Sequence, residues 1–230
     1  MPLDPAEDGR GPLRRSPPPR YLGQTSLPHL PLEVGRLAGK VRYAMPHSCL
    51  FTPHFPLLLK KREKFPQVDL EVGLIPNEAI FKKLLDEEID FGFVTKRYNN
   101  PAVRSELFAK EEYALLGNDP KRLRAIDRGN ILKESFVSYP GMDVLFNLWA
   151  KHFLGTEKIS FESLKISGAI DSLSGAITML EHGVGLSVLP KHCAQPQLKA
   201  GTLFECSRPK KGALFNEIYI VTLAGVDQPR

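Results

Sequence analysis

The stretch Gly168–Pro190, GAIDSLSGAITMLEHGVGLSVLP, predicts a helix, a tight turn and a buried strand in succession. Asp171 or Ser172 can cap the helix, because either side chain accepts hydrogen bonds from free N–H groups of the first turn. Gly183 follows the last periodic residue, where glycine adopts a left-handed cap without steric cost. The apolar run Leu186–Leu189, closed by a proline, is typical of an inner parallel strand covered on both faces. The helix would bury Leu173, Ala176, Ile177 and Leu180.

From Gly39 onward the chain alternates strands with helices. Helices are predicted within Leu50–Phe65, Glu78–Glu88 and Met142–Leu154, and the first begins near a proline, which only the first turn tolerates. The opening order of strand, helix, strand, helix, strand implies a parallel sheet with right-handed crossovers. Strands are predicted at Lys40–Ala44, Val68–Ile75, Ile89–Val94, Leu107–Phe108, Glu112–Leu116, Ser135–Tyr139, Leu164–Ser167 and Glu217–Leu223.

Residues 1–38 differ in composition from the rest of the chain. Repeated prolines interrupt any helix, so this segment is predicted to be a disordered or extended tail. Its arginines are compatible with a nucleic-acid arm, although a solvated tail is the simpler interpretation. These arginines are Arg10, Arg14, Arg15 and Arg20.

The composition limits the class of protein. The 230 residues are 42% hydrophobic and 25% charged, as expected of a soluble globular chain with one or two cores. A net charge of +5 suits an anionic ligand without requiring nucleic acid. The three cysteines are widely spaced, which indicates neither a disulfide framework nor a zinc motif. No membrane-spanning run and no signal peptide are visible, so we expect a cytoplasmic protein that does not contact a membrane.

Four segments resemble the effector-binding domain of LysR-type transcriptional regulators. They are Gly39–Tyr43 (GKVRY), Phe65–Leu70 (FPQVDL), Leu85–Phe93 (LDEEIDFGF) and Met179–Pro190 (MLEHGVGLSVLP). A strand that ends in leucine and proline is common by itself. Four such segments in the right order, within residues 39–223, make the resemblance fairly specific.

The resemblance implies an α/β fold of the type-2 periplasmic-binding-protein class. In this fold two α/β subdomains are joined by two crossover strands, and a small-molecule effector binds in the cleft between them. Subdomain I would comprise residues 39–116 plus about 214–230, and subdomain II residues 117–213. The family also implies a homodimer or higher oligomer that controls transcription.

Two features depart from the family pattern. These regulators begin with a winged helix-turn-helix, which the proline-rich residues 1–38 cannot form, so we do not expect this chain to read DNA through a recognition helix. The sequence is compatible both with a fragment and with a natural product that lacks the DNA reader. The family also tends to end in a further helix, whereas this chain ends seven residues after Leu223.

The ligand is expected outside the carboxyl ends of the parallel strands, at four strand-to-helix turns. Hydroxyl, amide and backbone N–H donors there suit an anion, but they can equally serve only as helix caps. Asp171 disfavours an anion and would suit a cation or a hydroxyl group. Tyr139 and Met142 can form an apolar wall or pack in the core. The predicted ligand-binding residues are Pro46, His47, Ser48, Cys49, Ile75, Asn77, Tyr139, Gly141, Met142, Asp171 and Ser172.

No catalytic, metal or cofactor site is predicted. His47 and His54 lack the HExxH arrangement, and Gly183–Gly185 follows a helix rather than the strand that a dinucleotide loop requires. Cys49 is either a buried small side chain or, if a helix start lowers its pKa, a redox thiol. Besides the regulator, two functions remain open: a solute-binding protein of the same fold, and a DNA-independent partner of a full-length regulator.

Overall fold

The structure, a computed structural model, describes residues 38–207 and 211–225. The predicted tail, residues 1–38, therefore lies outside the described residues except for Ala38. The strands are β1 Gly39–Met45, β2 Val68–Leu74, β3 Phe91–Val94, β4 Val103–Gly117, β5 Ser135–Ser138, β6 Lys165–Ala169, β7 Ser187–Pro190, β8 Phe204–Glu205 and β9 Leu214–Leu223. The α-helices are α1 His54–Arg62, α2 Asn77–Leu85, α3 Pro120–Ala125, α4 Met142–Trp149, α5 Leu173–Glu181 and α6 Gln195–Ala200.

The first three strands form the predicted parallel arrangement, with β1 between β2 and β3. They belong to a sheet of order β2-β1-β3-β9-β4-β7, while β5 and β6 form a separate parallel pair. The helix expected within Leu50–Phe65 is divided, because a 3-10 turn at His47–Phe51 precedes α1. The helix expected at Met142–Leu154 is regular only to Trp149 and continues as a π turn.

Strand β4 corrects the prediction of two short strands at Leu107–Phe108 and Glu112–Leu116. It is one strand of 15 residues, paired antiparallel with β9 from Val103 opposite Leu223 to Tyr113 opposite Leu214. Charged residues between the two apolar runs suggested an interruption, but backbone pairing with β9 continues through them. A bulge at Phe108 shifts the register once.

Strands β4 and β9 are the two crossover strands of the predicted fold. They connect separate groups of buried side chains. The part of the sheet formed by β1, β2 and β3, the first sheet region, has a cluster of buried side chains on each side. Val103 of β4 is buried in one cluster, with residues of β1, β3 and α2, and Ala109 in the other, with residues of β1 and β3. Tyr113–Leu116, at the other end of β4, belong to a larger core that also contains residues of α4, α5 and β7. Strand β9 does likewise, since Ile218 and Val221 are buried in the first region and Leu214 packs, partly buried, against the larger core.

In the unit Gly168–Pro190 the predicted helix and turn are confirmed, but β7, predicted as a parallel strand, pairs mainly antiparallel with β4. The Ser172 hydroxyl accepts a hydrogen bond from the Gly175 N–H at 3.3 Å, and Gly183 ends the helix at φ 72°. Strand β7 is buried throughout. It pairs antiparallel with β4, and the residue before it, Leu186, forms a single parallel bridge with Phe136 of β5. A side chain at Gly185 would stand 2.7 Å from the Ser135 carbonyl oxygen, so glycine permits this close approach.

Candidate functional site

The end of β1 carries four of the predicted ligand-binding residues, Pro46–Cys49. Pro46 precedes the 3-10 turn and His47 is exposed, whereas Cys49 is fully buried. Burial raises the pKa of the Cys49 thiol, because the thiolate would lose its hydration. The redox interpretation of Cys49 required a lowered pKa, so the buried-residue interpretation agrees with the structure.

The turn at His47–Phe51 contacts a turn from the larger core. His192 Nε2 donates to the Ser48 carbonyl oxygen at 3.0 Å, and the Cys193 thiol approaches the same oxygen at 3.7 Å. Both partners lie in the 3-10 turn Lys191–Ala194 that follows β7. This contact joins the two groups of strand ends, and sequence analysis missed it because residues 144 positions apart share no local pattern.

Asn77 lies at the start of α2 and is engaged by the end of β3. Its Nδ2 donates to Thr95 Oγ1 at 2.8 Å, and its Oδ1 accepts from the Thr95 N–H at 3.0 Å. The Thr95 carbonyl in turn accepts from Asn216 Nδ2 on β9 at 3.1 Å. The neighbouring predicted residue, Ile75, is partly buried against the core of the first sheet region. Asn77 therefore has a structural role in fixing the strand ends.

Replacing Asn77 with alanine is expected to lower the free energy of unfolding by about 1–2 kcal/mol, because two partly buried hydrogen bonds to Thr95 are lost. Urea titration would measure the loss. Glu78→Ala is the matched control, since its ion pair with Lys96 is exposed and should contribute less than about 1 kcal/mol. Equal losses in the two variants would contradict the role given to Asn77.

A buried polar cluster lies on β4, between the two cores. The Tyr113 hydroxyl donates to Glu111 Oε1 at 2.9 Å, and Glu111 is only 1% exposed. Burial raises the pKa of Glu111 to about 7, although the Tyr113 hydroxyl and the Asn216 amide offset part of that increase. Burial also raises the pKa of Tyr139, whose hydroxyl donates to the Val188 carbonyl at 2.9 Å.

A cleft of about 690 Å³ lies at the carboxyl ends of β5 and β6. It brings together three predicted residues, Tyr139, Gly141 and Asp171, as expected for ligand sites at the ends of parallel strands. Neither Met142, which is fully buried in the larger core, nor Ser172, which caps α5, lines the cleft. The lining residues are Ser138, Tyr139, Pro140, Gly141, Asp143, Phe161, Glu162, Ala169, Ile170 and Asp171.

Among the described residues that line the cleft, three carry carboxylates, Asp143, Glu162 and Asp171, and none is Lys or Arg. The cleft itself is therefore electronegative, which favours ammonium or hydroxyl groups over anions. Sequence analysis missed Phe161 and Glu162 because they reach the cleft through a 3-10 turn, where the Phe161 N–H donates to Asn147 Oδ1 of α4 at 2.8 Å. No local motif marks that contact.

Residues 38–207 and 211–225 show neither a metal-binding cluster nor a membrane-spanning helix. Among these residues, no group of three or more His, Cys, Asp or Glu side chains is arranged to hold a metal ion. None of the helices described in this range has the length and apolarity needed to cross a membrane.

The sequence matches a known protein family. The family model described as the LysR substrate binding domain matches residues 35–230. The chain belongs to this LysR family. A curated relative, the HTH-type transcriptional regulator YeiE of Escherichia coli (strain K12), is 23% identical over 163 residues, which cover 66% of this chain and 52% of that protein. This LysR-family chain thus spans about half the length of the curated relatives it matches.

Solved structures share the same LysR fold. The cofactor-binding domain of the Cbl transcriptional regulator aligns with a TM-score of 0.68 at 16% identity, covering 88% of both chains. The CcmR regulatory domain of Synechocystis PCC6803, solved with 2-PG, gives 0.66 at 17% identity over 83% of this chain and 90% of that one. The effector-binding domain of QuiR, solved with shikimate, gives 0.63 at 16% identity over 84% and 91%. The predicted α/β fold of the type-2 periplasmic-binding-protein class is confirmed.

Proposed function

We propose that this chain is the effector-sensing part of a LysR-type transcriptional regulator. The observation that carries the proposal is a cleft at the carboxyl ends of β5 and β6, in a chain whose family is defined by substrate binding. Tyr139 and Ile170 offer apolar surface there, and Asp171 offers a charged acceptor. A small polar metabolite fits such a mixed lining.

The two subdomains are proposed to divide as the sequence indicates, into residues 39–116 plus about 214–230 and residues 117–213. All the lining residues of the cleft then belong to subdomain II, while Pro46–Cys49, Ile75 and Asn77 lie at strand ends of subdomain I. His192 and the Ser48 carbonyl form a contact between the two subdomains, and an effector would change the arrangement of the subdomains at this contact. An effector shifts that arrangement only by binding its two states with different affinities.

The effector proposed for this cleft carries an ammonium group or several hydroxyl groups. Asp143, Glu162 and Asp171 would repel an anion that bound among them, so any anionic group on the effector would lie away from these three carboxylates. The whole regulator is proposed to act in the cytoplasm as a homodimer or higher oligomer, by binding rather than by catalysis. DNA would be read by a winged helix-turn-helix outside these residues.

A thermal-shift screen of the chain against amino acids, polyols and organic acids tests this function. At least one amine or polyol is expected to raise the melting midpoint, because ligands that bind only the folded state stabilise it. Asp171→Asn is expected to lower the affinity for a cationic ligand by about 3- to 30-fold, because one close negative charge is lost. Asp69→Asn on β2 removes the same charge away from the cleft and should leave the affinity unchanged. A screen in which no compound raises the midpoint would count against the sensor function.

A further inference from the structure

The cleft at β5 and β6 holds three exposed carboxylates without a cationic partner among the described residues. Asp143, Glu162 and Asp171 form no ion pair with any described Lys, Arg or His side chain. The acidic residues 86–90 differ, because two of their carboxylates are neutralised by ion pairs. The cleft therefore attracts cationic groups from outside the described part of the chain.

Apolar side chains line the same cleft beside these carboxylates. Pro140, Phe161 and Ile170 belong to the lining, and Phe161 and Ile170 are only partly buried against the larger core. Aromatic-lined grooves bind proline-rich segments, and carboxylates form charge-assisted hydrogen bonds with arginine. A peptide segment that combines arginine with proline therefore matches both parts of the lining.

This chain contains such a segment. Residues 10–20, RGPLRRSPPPR, carry four arginines, four prolines and no acidic residue. We call them the Arg-Pro segment, and they lie outside the described residues. Because proline fixes its own φ angle, a run of prolines loses less conformational entropy on binding than other residues do. Its charge is opposite to that of the cleft.

The Arg-Pro segment is long enough to reach the cleft. Arg20 precedes Ala38, the first described residue, by 18 positions. An extended chain of that length spans about 60 Å, whereas a domain of about 190 residues has a radius of gyration of about 16 Å. A tethered segment meets its site at an effective concentration of about 1 mM. A site with a dissociation constant of about 1 mM is then half occupied.

We propose that the Arg-Pro segment docks in the cleft at β5 and β6 of its own chain and competes there with the effector. Its arginines pair with Asp143, Glu162 and Asp171, and its prolines pack against Phe161. A cationic effector binds by displacing arginine, so the segment sets the effector concentration that the sensor needs. This inference rests on the proposed function, because it concerns regulation of the same cleft.

Paramagnetic broadening in the full chain tests the docking. A nitroxide is attached to a Ser16→Cys variant, where the three native cysteines are protected because each is at most 3% exposed. We expect the label to broaden the amide signals of residues 139–143, 161–162 and 170–171 more than those of residues 86–90. A mixture of ¹⁵N-labelled chain with spin-labelled, ¹⁴N chain reports contacts between molecules and should show little broadening.

Charge and competition are tested in the same samples. Asp143→Asn combined with Asp171→Asn should reduce the broadening at the cleft by at least about half, because two of the three negative charges are lost. Asp69→Asn combined with Asp86→Asn removes two exposed charges outside the cleft and should leave the broadening unchanged. Excess L-argininamide at constant ionic strength should displace the segment and reduce the broadening.

The proposal would be overturned by absent broadening at the cleft, by equal broadening at residues 86–90, or by equal broadening in the mixed sample. It would also be overturned if the cleft double variant or L-argininamide had no effect. The thermal-shift screen is independent of these results. A stabilising compound without broadening at the cleft would leave the sensor function standing and reject the docking, whereas broadening without a stabilising compound would support the docking and count against the sensor function.

Discussion

Replacing Trp149 with alanine is expected to lower the free energy of unfolding by about 3–5 kcal/mol. Trp149 is fully buried at the end of α4, with its ring 6.3 Å from Phe146 and 5.3 Å from Phe153. Removing the indole leaves a cavity that these neighbours fill only in part. Because α4 begins at Met142, directly after cleft residue Gly141, we also expect weaker binding of any cleft ligand.

Urea unfolding monitored by far-ultraviolet circular dichroism measures this loss. Leu148→Ala is the matched control, because Leu148 lies on the same helix and is 42% exposed. It should lower the free energy of unfolding by less than about 1 kcal/mol. A Trp149→Ala variant no less stable than Leu148→Ala would mean that α4 does not anchor the larger core.

Glu111→Gln is expected to stabilise the protein above pH 7 and to have little effect near pH 4. Burial raises the pKa of Glu111 from an ordinary 4.5 to about 7, so the folded state holds a proton that the unfolded state releases between these values. The native protein therefore loses stability as the pH rises from 4.5 to about 7. Glutamine cannot ionise and still accepts from Tyr113, so the variant avoids this loss, which amounts to about 3 kcal/mol.

Urea titrations of the two proteins at pH 4.5, 6, 7 and 8 check this expectation. The difference in unfolding free energy should grow with pH up to about pH 7 and then stay constant. Glu63→Gln, at an exposed position after α1, controls for loss of a surface carboxylate and should follow the native curve. A difference that is the same at every pH would show that Glu111 has an ordinary pKa.

Local signals in the sequence predicted the elements of this fold well. The cap at Ser172 and the left-handed Gly183 mark the two ends of α5, and both lie within a few residues of the groups they satisfy. The division of β4 was wrong because Glu111 reads as a polar interruption. Its burial depends on Tyr113, Asn216 and the surrounding core, which come together only in the folded chain.

Only part of the candidate site could be predicted from the sequence, because several of its residues come together only in the folded chain. Strand ends identify Tyr139, Gly141 and Asp171, since the edge of a parallel sheet is a general position for ligands. The assignment of ligand contacts stays a prediction for all eleven residues, both for these three and for Pro46, His47, Ser48, Cys49, Ile75, Asn77, Met142 and Ser172.

The most direct test of the central claim is amide chemical-shift mapping with a compound from the thermal-shift screen. We expect the largest shifts at the strand ends, in residues 138–143, 161–162 and 169–172. They should extend to 46–49 and 192 across the contact between His192 and Ser48. Shifts confined to surfaces away from these strand ends would contradict the assignment of the cleft as the effector site.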